Sequence, residues 1–510
     1  MIIGGINIGS NSSLALIEKG KLIYYNEERK LSKIKHGSGI PYNCIEQILN
    51  KKIDECYVTS YDFIKSDLLN LKNYLKFKKI LLTDKFLSLK KPHHLSHLFK
   101  AYIDSGFKSA RVFVLDGRGS KWGDGVEVCS IYDIDTNNIK CLYKKIYNKK
   151  NKKIEYTDDE LGITSDTKFE VTDKLTLGPL YAIVSDYFGY NLEEGKFMGL
   201  QSYGKVNDKL LEKLKQGIKK EDIKEIPFTL DGAKTCQKFF EYEYLNLVEQ
   251  YQDKNMVFTG GATLNVVNNY KLQRKFSKSN IYFEPICGDE GNSIGAAYTY
   301  YIKNQKQVFP NKDVYLGQEI KTKESDHILK TNVEVAEVVD LLNKGEVMGF
   351  IQGKAEAGPR ALGNRSLLLD PTLKNAKDKM NEIKKREKFR PFACSILEKN
   401  YKEFFYVNET DKSPFMMIAP QSKEKTKVMT PSIVHVDGTC RVQTVTEDNN
   451  KNLFELLTNF KLPYIMNTSF NLAGYPIVET FEDILFTLNN SSLKYVYFSD
   501  EKKLLVKNVS

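Results

Sequence analysis

Three of the chain's six histidines, His93, His94 and His97, stand within five residues. If that run opens a helix, His93 and His97 lie four residues apart and project from one face, a spacing that offers a metal ion two imidazoles. Pro92 just before them suits a first helical position. Two imidazoles are half a site. Asp116 and Asp289, read as carboxylates at strand ends, complete a set of two histidines and two carboxylates. Such a set with open positions suits Fe(II), Mn(II) or Zn(II). The bland alternative is a pair of surface histidines at a helix start, and the supply of carboxylates favours the metal over it.

Arginine is scarce, nine residues against 67 lysines, yet Arg360, Arg365, Arg386, Arg390 and Arg441 fall within 82 residues. In a chain that otherwise uses Lys, this points to the planar fork that grips carboxylate or phosphate through two parallel bonds. Gly358-Pro359 and Arg390-Pro391 stiffen the backbone around them. Ion pairs at a surface are the alternative. The few acids nearby argue instead for an anion pocket that takes several phosphoryl groups.

Gly260-Gly261 follows a short apolar run and opens a helix, as a backbone approaching a nucleotide would require. Alone, the pair fits a plain strand-to-helix turn better, and Glu194–Gly199 is equally ambiguous. There is no Walker A loop, G-x-S-x-G elbow or zinc-deaminase signature. Hydrolase and P-loop chemistry therefore lose ground.

These groups need a large scaffold. At 510 residues, with 41% hydrophobic, the chain supports two or three domains and excludes global disorder. Apolar runs at 2–8, 14–16 and 21–25 read as a hairpin resembling the phosphate-facing one of actin-like ATPases, and 111–115 and 256–259 as strands. Residues 291–303 read as a buried helix, and 144–160 as an exposed lysine-rich loop or hairpin. The polar stretch 304–335 holds the domain boundary. Beyond it we expect helices at 336–343, 373–385 and 480–489, and strands at 346–351, 433–436, 441–445 and 463–466. No internal repeat is visible. The eight scattered cysteines form no C-x-x-C pair and read as buried thiols. The net charge of +11 comes from solvated lysines and names no partner; nucleic acid is not indicated. No apolar run nears the roughly 18 residues of a membrane span, and the N-terminus lacks a signal-peptide pattern. A cytoplasmic protein is expected.

Taken in order, the motifs resemble the O-carbamoyltransferases typified by nodulation protein U and the cephamycin and tobramycin carbamoyltransferases. The resemblance runs through Glu27-Glu28-Arg29, Lys35-His36, HHLSH, LDGRG, EEGKFMGLQSYG, GGATLN and PICGDEGNSIGAA. It continues through GPRALGNRS, KKREKFRPFA, DGTCRVQT and NTSFNLAGYPIV.

That resemblance implies an α/β protein with an actin-like, TsaD-like duplicated domain over 1–325 and a YrdC-like α/β domain over 336–510. The second domain would join carbamoyl phosphate and ATP, with Mg, into carbamoyl-adenylate. The first would transfer the carbamoyl group to an acceptor hydroxyl, releasing AMP. Carried over by position, His93, His97, Asp116 and Asp289 would hold an iron-type metal, and Gly260, Gly261 and Asn265 would line a nucleotide whose phosphates Lys35 reaches. Arg360, Lys384, Arg386 and Arg441 would carry adenylation, with Arg365, Arg390, Asn467 and Ser469 binding the substrates. Two positions depart from the family. Ser10 stands where a His-Asp-Ser-Ser motif usually begins, leaving His94 or a metal-bound acceptor to replace the base, and Ala473 stands where relatives carry a basic residue. A tRNA threonylcarbamoyl-type enzyme and a nucleotide-binding regulator without transfer activity are the competing readings. Acceptors open to the family pattern include antibiotic, sugar, polyketide and modified-nucleobase hydroxyls, and a homodimer is the base-rate assembly.

Overall fold

The computed structural model describes residues 1–60, 65–83, 85–150 and 161–508. It divides into two compact units, one of residues 1–32, 36–265 and 271–313, the other of residues 33–35, 266–270 and 314–510.

The first unit is an α/β structure wired twice in the same way. Ile2–Asn7 (β1), Ser13–Glu18 (β2), Lys21–Glu27 (β3), Glu55–Thr59 (β4) and Phe86–Leu87 (β5) form a sheet in the order β3-β2-β1-β4-β5. The β1–β2 and β2–β3 pairs are antiparallel, and the β1–β4 and β4–β5 pairs are parallel. Ser109–Leu115 (β6), Gly125–Asp135 (β7), Ile139–Tyr147 (β8), Lys168–Thr172 (β9), Asn255–Thr259 (β10) and Asn280–Phe283 (β11) form the second sheet, in the order β9-β8-β7-β6-β10-β11. Its β6–β7 and β7–β8 pairs are antiparallel, and its β6–β10 and β10–β11 pairs parallel. Without the edge strand β9 and the two-residue strand Lys121–Trp122, which pairs with β7 off this path, the two sheets have identical strand order and direction. This is the duplicated arrangement expected of an actin-like fold. It leaves no repeat in the residues, because pairing needs only matched apolar patterns and turns, not matched identities.

Two helices, Pro92–Ser105 (α1) and Asn292–Lys303 (α2), are buried over almost their whole length. They touch backbone to backbone at Gly295, where an added Cβ would lie 1.9 Å from the Ser96 carbonyl oxygen.

The second unit holds an eight-stranded mixed sheet. Its strands are Ile328–Lys330 (β12), Met348–Ile351 (β13), Arg365–Leu369 (β14), Ala393–Leu397 (β15), Arg441–Val445 (β16), Tyr464–Ser469 (β17), Tyr495–Phe498 (β18) and Lys503–Val506 (β19). They run in the order β12-β19-β18-β13-β14-β17-β15-β16. Neighbours along a strand feed different cores. Leu367 and Leu369 join one cluster and Leu368 the other, so both faces of the sheet are covered, as the continuous apolar runs require.

Three local expectations change. Residues 433–436 make turns, not a strand: His435 accepts the Gly438 amide at 2.9 Å and donates its own to Thr439 at 2.8 Å. Lys144, in the stretch read as an exposed loop or hairpin, lies on the hairpin strand β8 but is fully buried; residues 151–160 of that stretch fall outside the described residues. Asp289 opens a short 3₁₀ turn, Asp289–Gly291, rather than ending a strand. All eight cysteines are buried free thiols. Among the described residues, no helix is long and apolar enough to cross a membrane.

Candidate functional site

The first two turns of α1 carry His93 and His97 at helical spacing on one buried face. Asp116 follows directly on β6, and Asp289 arrives from the turn before α2. His93 Nε2 lies 2.9 Å from Asp116 Oδ2 and 3.4 Å from Asp289 Oδ1. The corresponding His97 distances are 3.8 and 3.6 Å. One donor atom from each of the four residues falls within 4.8 Å of all the others.

The electrostatics suit a cation. Burial alone would depress the His93 imidazolium, yet the Asp289 charge and the Asp116 hydrogen bond outweigh it and hold its pKa up at about 10. Burial works against ionising Asp116 too, but the hydrogen bond from His93 and the charges of His97 and His93 keep it well below the usual carboxylate range. A pocket that holds two carboxylates charged and claims a positive partner for them has the donor chemistry of a divalent-metal site with two nitrogens and two oxygens. Asn292 Nδ2 sits 3.1 Å from His97 Nε2, and Ser120 Oγ accepts the His93 amide at 3.2 Å. His94 is sealed away. Its Nδ1 lies 2.8 Å from Ser130 Oγ, a Cβ on Gly119 would sit 2.6 Å from its Nε2, and burial pushes its pKa down to about 3. It is not placed to serve as a base toward an acceptor.

The Gly260-Gly261 turn follows β10. Gly260 has φ +88°, and a Cβ there would lie 2.3 Å from the Leu115 carbonyl oxygen, so only glycine fits. The amide of Gly261 donates to Asp116 Oδ1 at 3.0 Å. Asn265 exchanges amide hydrogen bonds with Gln237 at 3.0 and 3.3 Å.

In the second unit, cations press on one another. Burial, then the charges of Arg360 and Arg390, pushes the Arg441 guanidinium well below its ordinary value. Burial and Arg390 bring Arg386 down to about 9. Lys384 is depressed by burial, then by Arg386, Arg390 and Lys35, the last of which belongs to this unit. Glu387 lies 3.7 Å from Arg390 and leaves the set strongly positive. Lys384 Nζ donates to Ser469 Oγ at 3.2 Å and Asn471 Oδ1 at 2.8 Å. Arg386 stacks over Phe392, 4.1 Å from the ring centre.

Residues 50–231 and 231–298 match the family model described as Carbamoyltransferase N-terminus, and residues 339–504 match Carbamoyltransferase C-terminus. The chain belongs to the carbamoyltransferase family. An uncharacterized protein of Methanocaldococcus jannaschii is 30% identical to it, the alignment covering 96% of each chain. Nodulation protein NolNO of Sinorhizobium fredii is 27% identical over 95% of this chain and 77% of its own. Nodulation protein U of the same species is 23% identical over 93% and 94%.

Not every arginine of this carbamoyltransferase belongs to that cationic set. Arg365 is fully buried, and its guanidinium donates to four backbone carbonyls: Gln352 and Gln318 at 2.6 Å, Asn364 and Gly353 at 2.9 Å. Asn467 is also fully buried, donating to Ser395 Oγ at 2.8 Å. Sequence reasoning missed Glu356, whose Oε1 accepts the amides of Leu362, Asn364 and Arg365 at 2.7, 2.8 and 3.1 Å. One buried carboxylate thereby shapes the loop that presents Arg360. Its signal was its position four residues before that arginine, in Ala355-Glu356-Ala357.

Proposed function

We propose that this transferase is an ATP-dependent O-carbamoyltransferase that works in two steps. Carbamoyl phosphate, ATP and water give carbamoyl-adenylate, pyrophosphate and phosphate in the second unit. An acceptor hydroxyl then takes the carbamoyl group and AMP leaves, a step we assign to the first unit. The observation that carries this reading is the crowd of buried cations at Lys384, Arg386 and Arg441, each depressed first by burial and then by neighbouring arginines. Such a set is costly to the empty fold and is relieved by a ligand bearing several negative charges.

Fixed cations around Arg441 would hold the triphosphate and stabilise the charge that grows as pyrophosphate departs. Arg360 is carried there by the loop that Glu356 shapes, and Lys384 is locked by Ser469 and Asn471, so the charges are pre-positioned. Arg365 and Asn467 act on this pocket as positioning residues. In the first unit, His93, His97, Asp116 and Asp289 would hold a divalent metal, Fe(II), Mn(II) or Zn(II). When bound it supplies Lewis acidity toward a carbonyl or hydroxyl oxygen. Gly261 and Ser120 keep Asp116 and His93 aimed at a common centre.

The test measures pyrophosphate release from ATP with and without carbamoyl phosphate, for wild type and Arg441→Ala, with no acceptor present. Release that needs both carbamoyl phosphate and Arg441 is the expected result. Folded, metal-loaded protein that releases none would overturn the two-step reading in favour of a nucleotide-binding regulator.

A further inference from the structure

The helix face that carries His93 and His97 continues with Lys100 and Asp104, the same stripe one and two turns on. Both are buried, 2% and 1% exposed. Lys100 Nζ donates to Asp104 Oδ2 at 3.1 Å and to Glu284 Oε1. Glu284, itself 1% exposed, starts the segment 284–291 that delivers Asp289. The same Glu284 oxygen accepts the Ile286 amide at 3.0 Å. At the other end of the segment, Gly291 lies on the Lys100 stem: a Cβ there would be 3.0 Å from Lys100 Cδ. One lysine from the histidine-bearing helix thus touches both ends of the segment that carries the second carboxylate.

Apolar residues of similar volume would serve stability as well as a buried ion pair or better, because two charges must be stripped of water to make one. What the pair adds is a fixed distance between α1 and the segment. We propose that Lys100 and Glu284 are a positioning pair that sets Asp289 at metal-binding distance from His93 and His97, an inference that rests on reading those residues as a metal site. Asp289 sits on a three-residue turn between Glu284 and α2. Ser13 and Tyr25 hold the next carbonyl, that of Glu290, at 2.7 and 2.9 Å, and the Lys100–Glu284 pair holds the side of the segment that leads into Asp289. Its two imidazole distances, 3.4 and 3.6 Å, are nearly equal, as expected of a carboxylate held at a set reach from one helix face.

The test titrates Zn(II) into metal-stripped full-length protein against a chromophoric chelator and melts the same samples. The variants are the double substitution Lys100→Met/Glu284→Gln, the single Glu284→Gln, Tyr298→Phe and His97→Ala. Tyr298 donates to Asp104 Oδ1 at 2.9 Å, so Tyr298→Phe disturbs the same network away from the Asp289 segment. The double variant should melt cooperatively and bind Zn(II) about 10- to 100-fold more weakly, the loss usual for residues that orient metal ligands. Tyr298→Phe should lower the melting temperature and leave affinity unchanged. Unchanged affinity in the folded double variant, or an equal loss in Tyr298→Phe, would make the network a matter of stability alone and overturn the proposal. If the double variant does not fold, Glu284→Gln carries the same two outcomes. Wild type that binds no more Zn(II) than His97→Ala would bring down the metal reading and this inference with it. Wild-type binding that the Glu284 variants share would sink only the positioning role.

Discussion

Gly261 gives its amide to Asp116 Oδ1 at 3.0 Å, so the glycine turn expected to serve a nucleotide also aims a carboxylate of the candidate metal cluster. The two glycines should therefore fail differently. At Gly260 an alanine meets the Leu115 carbonyl oxygen at 2.3 Å and a φ of +88°. The backbone strain alone costs about 1–3 kcal/mol, and urea denaturation of metal-free Gly260→Ala should show at least that loss. At Gly261 the new Cβ stands 3.1 Å from Asp116 Oδ1, a contact the carboxylate escapes by turning. Gly261→Ala should melt near wild type and bind metal more weakly. Equal stability losses in the two variants would count against a role for the Gly261 amide at Asp116.

Arg365 and Arg441 make opposite predictions from the same residue type. Removing the Arg365 guanidinium strands four carbonyls and the buried Glu356 charge nearby. Arg365→Ala should cost about 3–5 kcal/mol, the usual price of breaking a buried charged network. Arg441 is held against the charges of Arg360 and Arg390, so Arg441→Ala should melt at or above the wild-type temperature while pyrophosphate release disappears. Calorimetry and the release assay on both variants check this. A large drop in stability for Arg441→Ala would make that arginine structural.

How far the sequence carried the site follows from how local each relation is. His93 and His97 were legible because helical spacing alone puts them on one face. Arg360 and Arg365 share one motif, yet nothing in their five-residue separation says that Arg365 turns inward to backbone carbonyls. Lys144 reads as a solvated cation, but β8 carries it inward to Glu127, 2.9 Å away on the neighbouring strand. The pairing of Lys100 with Glu284 spans 184 residues, and only the packing of α1 near the Asp289 segment creates it. Fewer than half of the strands are legible in the residues, Gly125–Asp135 and Ala393–Leu397 being among those that are not, and the identical order of the two sheets is not legible at all, because long-range pairing is absent from any local pattern. Residues 433–436 show the converse: an apolar run that turn hydrogen bonds claim before a sheet can.

The crowded cations predict a response to anions. Pyrophosphate or carbamoyl phosphate occupying the set around Arg441 should raise the melting temperature more than chloride does at the same ionic strength, since ligands that bind only the folded state stabilise it by mass action. Surface lysines respond to ionic strength alone. The specific part of the shift should vanish in Arg441→Ala and persist in His97→Ala. A shift that survives Arg441→Ala would place the anion elsewhere.

The acid limb of stability should carry the mark of Asp104. Burial raises its pKa, Lys100 opposes this and the nearby Glu284 charge adds to it, leaving Asp104 at about 6. An unfolded aspartate titrates near 3.9. Between those values the folded protein keeps a proton that the unfolded chain has already released, so raising the pH favours unfolding. This group's stabilisation is complete below about pH 4 and is lost as pH rises through about 6, a change of about 3 kcal/mol at most. Glu127 has the opposite slope at lower pH: the His94 and Lys144 charges overcome its burial and hold it down at about 2, so its contribution grows between about pH 2 and 4.3 and its tail reaches the start of the Asp104 window. The measurement is therefore a difference. Wild type minus Asp104→Asn, both metal-free, followed by denaturant unfolding from pH 4 to 7, should fall with pH across that window and be flat above it. A difference that rises with pH would mean that Lys100 holds Asp104 ionised throughout.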